Sequence, residues 1–530
     1  MTASMTMESA RALIAGLRRP EAYPHAVSEP IRIAETHISW VVLTGEYAYK
    51  VKKPIKLSFL DYATLERRHL LCEEELRLNR RLAPGLYLGV SAIGGSLESP
   101  RIDGAGPPLE YAVRMRQFSP EDELSALLAA RAVTSDDVAA LGAGIARFHA
   151  AAAPAPAGSA YGRAETAHRV TMDNFTELRA LPEAVGWATQ LAALESRISA
   201  LHRELRPLMD GRRELGRVRE CHGDLHCGNV VRWAGALTPF DGIEFEPALR
   251  YIDVINDIAF LTMDLAERGH LDLRRAVLQA WAETSGDWSG LPLVPYYEAY
   301  RALVRAKVDA LRALQLEAGS RGRAAAISDC RRYLDWAAAR VAGRRPMLLI
   351  TCGLSGSGKT WLARRLAERL GALHLRSDVE RKRLAGLAAH EDSRSPPDAG
   401  IYTLEFNERT YRRLRDCAAA SLAAGEPTIV DAAFLRSHER RSFLSLAHQR
   451  DAPFAIVHCH APDAVLRDRV SARATARNDA SEAGPDVLAR QPSYWEAFGS
   501  AEQPHVIAID TSDTSAVADA TATLAALANR

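Results

Sequence analysis

The sequence predicts an α+β N-terminal domain followed by an α/β domain whose parallel sheet is covered by helices. Three observations carry this. The N-terminal part mixes strand-like runs, two of them joined by a glycine turn, with long helical patterns. From Met347 onward, short apolar runs alternate with helical ones, a βαβ rhythm that implies parallel pairing. Between these regions Gly343-Arg344-Arg345-Pro346 interrupts a helical pattern, which predicts domains over 1–343 and 344–530. A chain of 530 residues exceeds what one hydrophobic core usually serves.

Residues 8–19 read as a short amphipathic helix, and His37–Leu43 and Tyr47–Lys52 as strands joined at Thr44-Gly45. Thr64–Leu82 carries Leu71, Leu78 and Leu82 on one helical face. Leu109–Phe118 alternates as a strand, and residues 121–153 read as helical with a cap signal at Thr134-Ser135-Asp136-Asp137. Ala-Pro-Ala-Pro-Ala-Gly at 153–158 is a joint, and a long helical region spans Asp253–Ala342. The C-terminal strands are expected at Met347–Cys352, Ala372–Leu375, Thr428–Val430, Phe454–Cys459 and Val506–Ile509.

Composition narrows the classes. Apolar residues make up 47% and charged residues 25%, with a net charge of +1, so no global basic field argues for nucleic acid or an acidic membrane. The seven cysteines form no CxxC pair and no disulfide framework, which suits a reducing cytoplasm. Cys221 and Cys227 flank His222 and His226, but no second cluster completes a zinc site. No targeting signal and no membrane-length apolar run is read, so a cytoplasmic protein with no nucleic-acid or membrane partner is expected.

Gly353-Leu354-Ser355-Gly356-Ser357-Gly358-Lys359-Thr360 satisfies G-x-x-x-x-G-K-[ST] between an apolar strand and a leucine-patterned helix. Such a loop turns backbone N–H groups inward around phosphate, and the helix N-terminus adds positive potential. Lys359 is expected at the β/γ-phosphates of ATP and the Thr360 hydroxyl at Mg²⁺. Asp431 ends an apolar strand where a carboxylate near the metal would sit. Arg376 and Asp378 follow the second strand, at the crevice end of the sheet, as substrate-side candidates. Each aspartate has a strand-end or helix-capping alternative. Arg469, Arg473 and Arg477 share a helical face, with Arg473 the candidate nucleotide contact; a solvated basic face is the alternative.

A second constellation lies upstream. His222-Gly223-Asp224-Leu225-His226-Cys227-Gly228-Asn229 has the D-x-x-x-x-N spacing of a kinase catalytic loop. Asp224 is placed to accept the proton of an attacking hydroxyl, and Asn229 to hold Mg²⁺. A hairpin of Val230–Trp233 and Leu237–Phe240 returns Asp241 beside Asn229 as a second metal ligand. Ala48, Lys50 and Lys52 share one strand face. Glu75 lies inside an apolar helical stripe and needs a cationic partner there; Lys50 is the first choice and Lys52 the alternative. A lysine-rich edge strand is the bland reading of the same residues.

Residues 30–320 resemble the aminoglycoside phosphotransferase and choline-kinase-like superfamily, whose loop typically reads His-Gly-Asp-x-His-x-x-Asn. The resemblance implies a bilobal kinase-like domain, with Asp224 as base, Asn229 and Asp241 as Mg²⁺ ligands and His226 as a loop residue. Two departures stand out: the first hairpin has only Gly45 and no G-x-G-x-x-G, and Cys227 stands where proline is common. Only eleven residues separate Asp241 from Asp253, which leaves little room for an activation segment and disfavours a protein substrate. Residues 346–530 resemble the P-loop small-molecule kinases, including gluconate kinases and zeta-toxin-like kinases. In this order the halves resemble bacterial fusion proteins of the two kinds. The combination implies two Mg·ATP-dependent phosphotransferase sites acting on hydroxyls of small molecules. The alternatives are one catalytic domain regulated by an ATP-binding or ATP-hydrolysing one, or a non-enzymatic nucleotide-binding module.

Overall fold

The structure, a computed structural model, describes residues 5–57, 60–343, 345–396, 398–476 and 479–528. The chain forms two compact units, Met1–Val170 with Met209–Leu265, and Thr171–Leu208 with Ala266–Arg530. The boundary read at 343/344 therefore falls inside the second unit.

The first unit is built on a six-stranded antiparallel sheet in the order Arg32–Glu35, Ser39–Leu43, Tyr47–Lys52, Glu110–Arg116, Tyr87–Gly95, Pro100–Ile102. The hairpin register pairs Val41 with Lys50 and Ser39 with Lys52. Alternation then sorts the residues. Tyr49 and Val51 pack with Trp40, Val42, Leu13 and Ile14 on one face. Ala48 packs with Cys72, Leu76, Val113 and Met115 under the helix Leu65–Asn79 on the other. Lys50 and Lys52 share the Ala48 face and so point at that helix. Thr64 caps it by accepting the Arg67 N–H, and a capping box of Thr134 and Asp137 starts the helix Ser135–Ala151.

The region read as one helical stretch over 121–153 is divided, with a 3-10 turn at Pro120–Asp122 and helices at Leu124–Ala129 and Ser135–Ala151. The long helical region is likewise four helices, Val254–Glu267, Leu271–Ser285, Val294–Gln315 and Arg321–Val341. Gly286, at φ +66°, ends the second of them in a left-handed cap. Three strands of the six-stranded sheet were not read from the sequence: Arg32–Glu35, Tyr87–Gly95 and Pro100–Ile102.

The second unit carries a five-stranded parallel sheet in the order Leu373–Arg376, Thr428–Asp431, Leu348–Cys352, Phe454–His460, Val506–Asp510. Leu348–Cys352 is buried throughout, as a central parallel strand with both faces covered must be. Connections leave it to one side first and later return to the other. Its C-terminal end is thus a topological switch point, where open α/β sheets bind ligands.

Candidate functional site

In the first unit, helix Leu65–Asn79 and the segment 218–257 together assemble the kinase-like loop. Asp257 accepts the N–H groups of His222 (3.1 Å) and Gly223 (2.8 Å) and lies 3.0 Å from His149 Nε2. Gly223, at φ +86°, has no room for a Cβ, which would lie 2.8 Å from the Leu249 carbonyl. His222 Nε2 sits 2.8 Å from the Phe240 carbonyl, and burial pushes its imidazole below the ordinary range. Asn229 Nδ2 donates to the Asp224 carboxylate and carbonyl, each at 2.9 Å, leaving its amide oxygen as the acceptor a cation would use. The Phe240 N–H donates to the Asn229 carbonyl at 2.9 Å, which brings Asp241 back beside Asn229. Asp241 stands at φ +61°, a sparsely populated conformation that an aspartate tolerates better than most residues. Its N–H donates to the Tyr87 hydroxyl at 3.0 Å, and the next N–H, of Gly242, to Asn79 Oδ1 at 2.8 Å.

Lys50 and Lys52 both reach Glu75, from Nζ to Oε1 at 2.9 Å and to Oε2 at 2.6 Å. Burial alone would lower the Lys50 pKa, but Asp241 and Glu75 outweigh it and hold the ammonium well above its usual range. Burial likewise opposes ionisation of Glu75, yet the two lysines hold it well below the ordinary carboxylate value. The partners separate the lysines. Lys50 also contacts Asp241 and keeps 12% of its side chain exposed, whereas Lys52 is fully buried against Glu244 and Tyr62. Lys52→Met, which takes the lysine from the buried Glu244, is expected to cost about 3–5 kcal/mol of stability. Lys50→Met leaves Glu75 its second lysine and is expected to weaken nucleotide binding about tenfold or more with a smaller stability loss. Denaturant unfolding and nucleotide titration of both variants check this; affinity that follows Lys52 alone reverses the assignment.

Asp257 sets a pH dependence. Burial would raise its pKa, but the His149 hydrogen bond and the His149 and His222 charges bring it from 3.8 down to about 2. A carboxylate depressed on folding contributes fully above its unfolded value and loses that contribution as pH falls through the folded one. The stability difference between the native chain and Asp257→Asn is therefore expected to shrink by about 2 kcal/mol from pH 4 to pH 2. Unfolding at stepped pH reads this directly, and a pH-independent difference would contradict it.

In the second unit the glycine-rich loop follows the central strand. A Cβ at Gly353 would lie 2.2 Å from the Cys459 carbonyl, and one at Gly356 would lie 2.5 Å from that of Leu466. Gly358, at φ +79°, opens the helix Lys359–Leu370. Lys359 Nζ donates to the carbonyls of Gly353 (2.9 Å) and Leu354 (2.8 Å), and the buried Ser357 Oγ has no hydrogen-bond partner among the described residues. Burial lowers the Lys359 pKa against the opposing pull of Asp431. Asp431 is buried, but hydrogen bonds from His374 and Thr360 and the Lys359 charge outweigh burial and lower its pKa. A cavity of about 890 Å³, within the usual span of small-molecule sites, is lined by the loop with Asp378, Arg376, Asp431 and Arg473. Arg376 pairs with Asp479 at 2.5 Å, and Arg473 donates to the Ala483 carbonyl at 2.7 Å. Arg469 holds the Gly356 carbonyl and Thr511, and Arg477 lies outside the described residues.

Sequence reasoning passed over several participants. Asp257, His149, Asn79 and Tyr87 hold the first loop in place, and His374, Gln491, Arg381 and Tyr402 belong to the second site. Gln491 Oε1 accepts the Ser355 N–H at 2.6 Å. Only Arg381 carried a local signal, three residues after Asp378 on the same short helix.

Residues 348–498 match the family model AAA_33, described as an AAA domain. Over 476 residues the chain is 30% identical to Rv2004c of Mycobacterium tuberculosis and to Mb2027c of Mycobacterium bovis, covering 90% of this chain and 93% of each relative. The chain belongs to their family. Among solved structures, a gluconokinase from Sinorhizobium meliloti 1021 is 23% identical to this family member, over 35% of this chain and 95% of that one, with a TM-score of 0.26. The amicoumacin kinase hAmiN, solved with AMP-PNP, Ca²⁺ and amicoumacin, is 13% identical over 62% of this chain and 96% of its own, with a TM-score of 0.39. No helix among the described residues is long and apolar enough to cross a membrane.

Proposed function

We propose that the chain is an ATP-dependent phosphotransferase with two nucleotide sites, each transferring the γ-phosphoryl group of Mg·ATP to a hydroxyl of a small molecule. The observation that carries this reading is that each unit brings a lysine together with a carboxylate placed at or just beyond the end of a strand. Lys50 meets Asp241 in the first unit, and Lys359 lines one cavity with Asp431 in the second. In the first, Asn229 and Asp241 would hold Mg²⁺, Lys50 would bind phosphate, and Asp224 would orient the acceptor hydroxyl and take its proton. In the second, the N–H groups of residues 353–360 would surround phosphate, and Thr360 and Asp431 would hold Mg²⁺. Asp378 and Arg376 would face the acceptor, and Arg473 the nucleotide. The glycines that exclude a Cβ and the unpartnered Ser357 hydroxyl suit a phosphate cradle. Bound Mg²⁺ would neutralise charge developing on the transferring group.

The seven buried cysteines, none of them in a disulfide, support a reducing, cytoplasmic location, and the near-zero net charge supports a small-molecule acceptor rather than nucleic acid or membrane. The test is transfer of label from γ-labelled ATP to sugars, aminoglycosides, amino alcohols and nucleosides, by the native chain and by Asp224→Ala and Lys359→Ala. Label should reach an acceptor in a manner that each variant abolishes separately. Label transfer indifferent to both substitutions would overturn the proposal.

A further inference from the structure

The parallel sheet ends on the edge strand Leu373–Arg376, which runs into the helix Ser377–Leu384 bearing Asp378 and Arg381. Side chains from helices outside the sheet hold this unit. Gln279, on the helix Leu271–Ser285, accepts the His374 N–H at 2.8 Å and donates to the His374 carbonyl at 2.9 Å. Its amide thus takes the place a further strand would occupy on an open edge. His374 in turn sets its Nε2 3.1 Å from Asp431 Oδ2.

The helices that supply Gln279 are themselves fixed. Trp288, 1% exposed, donates its indole N–H to Glu380 at 3.1 Å, and Glu380 also accepts from Arg383 (3.2 Å) and Arg413 (3.0 Å). Arg274 bridges Glu298 (2.9 Å) and Glu426 (2.7 Å), and Arg340 contacts the same two carboxylates. Glu426 lies two residues before the strand that ends in Asp431. Burial favours neutral groups here, yet the paired charges hold Glu426 down to about 2, so the cluster is ionised at neutral pH.

We propose that Gln279 is a positioning residue of the P-loop site, acting through His374 on the orientation of Asp431. The proposal rests on the reading of Gly353–Thr360 and Asp431 as a Mg·ATP site. A carboxylate that holds a metal is oriented by its own hydrogen-bond partner, and losing such partners typically weakens metal binding by about 10–100-fold. His374 is that partner, and its backbone is held on the sheet's outer side by an amide contributed from a helix 95 residues upstream. The segment 271–341 therefore serves the P-loop chemistry, although the sequence assigned it to the other domain.

The test uses the full chain and a non-hydrolysable ATP analogue, titrated with and without Mg²⁺. The component of binding lost in Lys359→Ala defines the P-loop site. Gln279→Met keeps the side chain's bulk and removes its amide. It is expected to cut the Mg²⁺-dependent gain in affinity roughly tenfold while Mg²⁺-free affinity stays within about twofold. Gln279→Glu, which still accepts the His374 N–H, should lie between Met and the native residue and serves if the first variant does not fold. A lowered unfolding midpoint with an unchanged Mg²⁺ dependence makes Gln279 merely structural and overturns the inference. If Lys359→Ala loses no binding at all, the Mg·ATP reading itself falls, an outcome distinct from failure of the Gln279 step.

Discussion

Replacing Lys359 by alanine is expected to lower phosphoryl transfer at the P-loop site roughly 10²–10³-fold, the usual cost of removing one preorganised electrostatic contact. The ammonium lies across the loop, donating to the Gly353 and Leu354 carbonyls, beside Asp431 and at the start of the helix Lys359–Leu370. Half-buried at the wall of the cavity, it is a positive charge next to the position phosphate would take, where screening by water is reduced. Alanine leaves the glycine turns intact, so the chain should fold as before. The loss should appear in both nucleotide affinity and turnover, because in the proposed role the lysine would contact phosphate before and during transfer. Calorimetric titration with ADP production measures it, and a variant with native affinity would contradict the assignment of the loop.

Asp224→Asn should act differently. The carboxylate is fixed by Asn229 Nδ2 at 2.9 Å, with His226 Nε2 3.5 Å away, and 37% of its side chain remains exposed. A general base, the role proposed for Asp224, contributes about 10²–10⁴-fold to rate. Transfer at the first site should fall by about 10³-fold, while the KM for ATP stays within about twofold, since Lys50, Asn229 and Asp241 are untouched. Steady-state kinetics with the acceptor from the label screen separate the two parameters. A raised KM with unchanged kcat would make Asp224 a binding residue.

The two candidate sites were legible to different depths, for physical reasons. The glycine-rich loop was readable because its demands are local: three glycines, a lysine and a hydroxyl within eight residues, between a buried strand and a helix. The Asp224–Asn229–Asp241 set was readable for the same reason, since one hairpin returns the last to the first. Lys50 and Glu75 depended on periodicities of 2 and 3.6, which placed both toward a common interior. Periodicity made Lys50 the first choice but kept Lys52 as the alternative, and the burial of Lys52 against Glu244 and Tyr62 sets the two apart.

What stayed hidden depends on pairing across sequence. Tyr87–Gly95 carries three glycines and a register shift near Gly89, so its alternation is weak. Arg32–Glu35 is exposed along most of its length and offers the core only Ile33. Val218–Glu220 and Tyr251–Asp253 are three residues each and exist because they pair with each other. Asp257 and Gln279 look like ordinary helix residues until the backbone N–H groups they receive come within reach. The boundary at 343/344 followed a real break in the helical pattern. The break does not say which sheet the preceding helices pack on, and the Arg274–Glu298–Arg340–Glu426 cluster joins them to the parallel one.

The stoichiometry of bound nucleotide decides most directly whether one chain holds two sites. Equilibrium titration of the full chain with a non-hydrolysable ATP analogue and Mg²⁺ should give two nucleotides per chain. Lys359→Ala and Lys50→Met should each give one tight site, and the double variant none. A single nucleotide per native chain, abolished by either substitution alone, would contradict the two-site assignment.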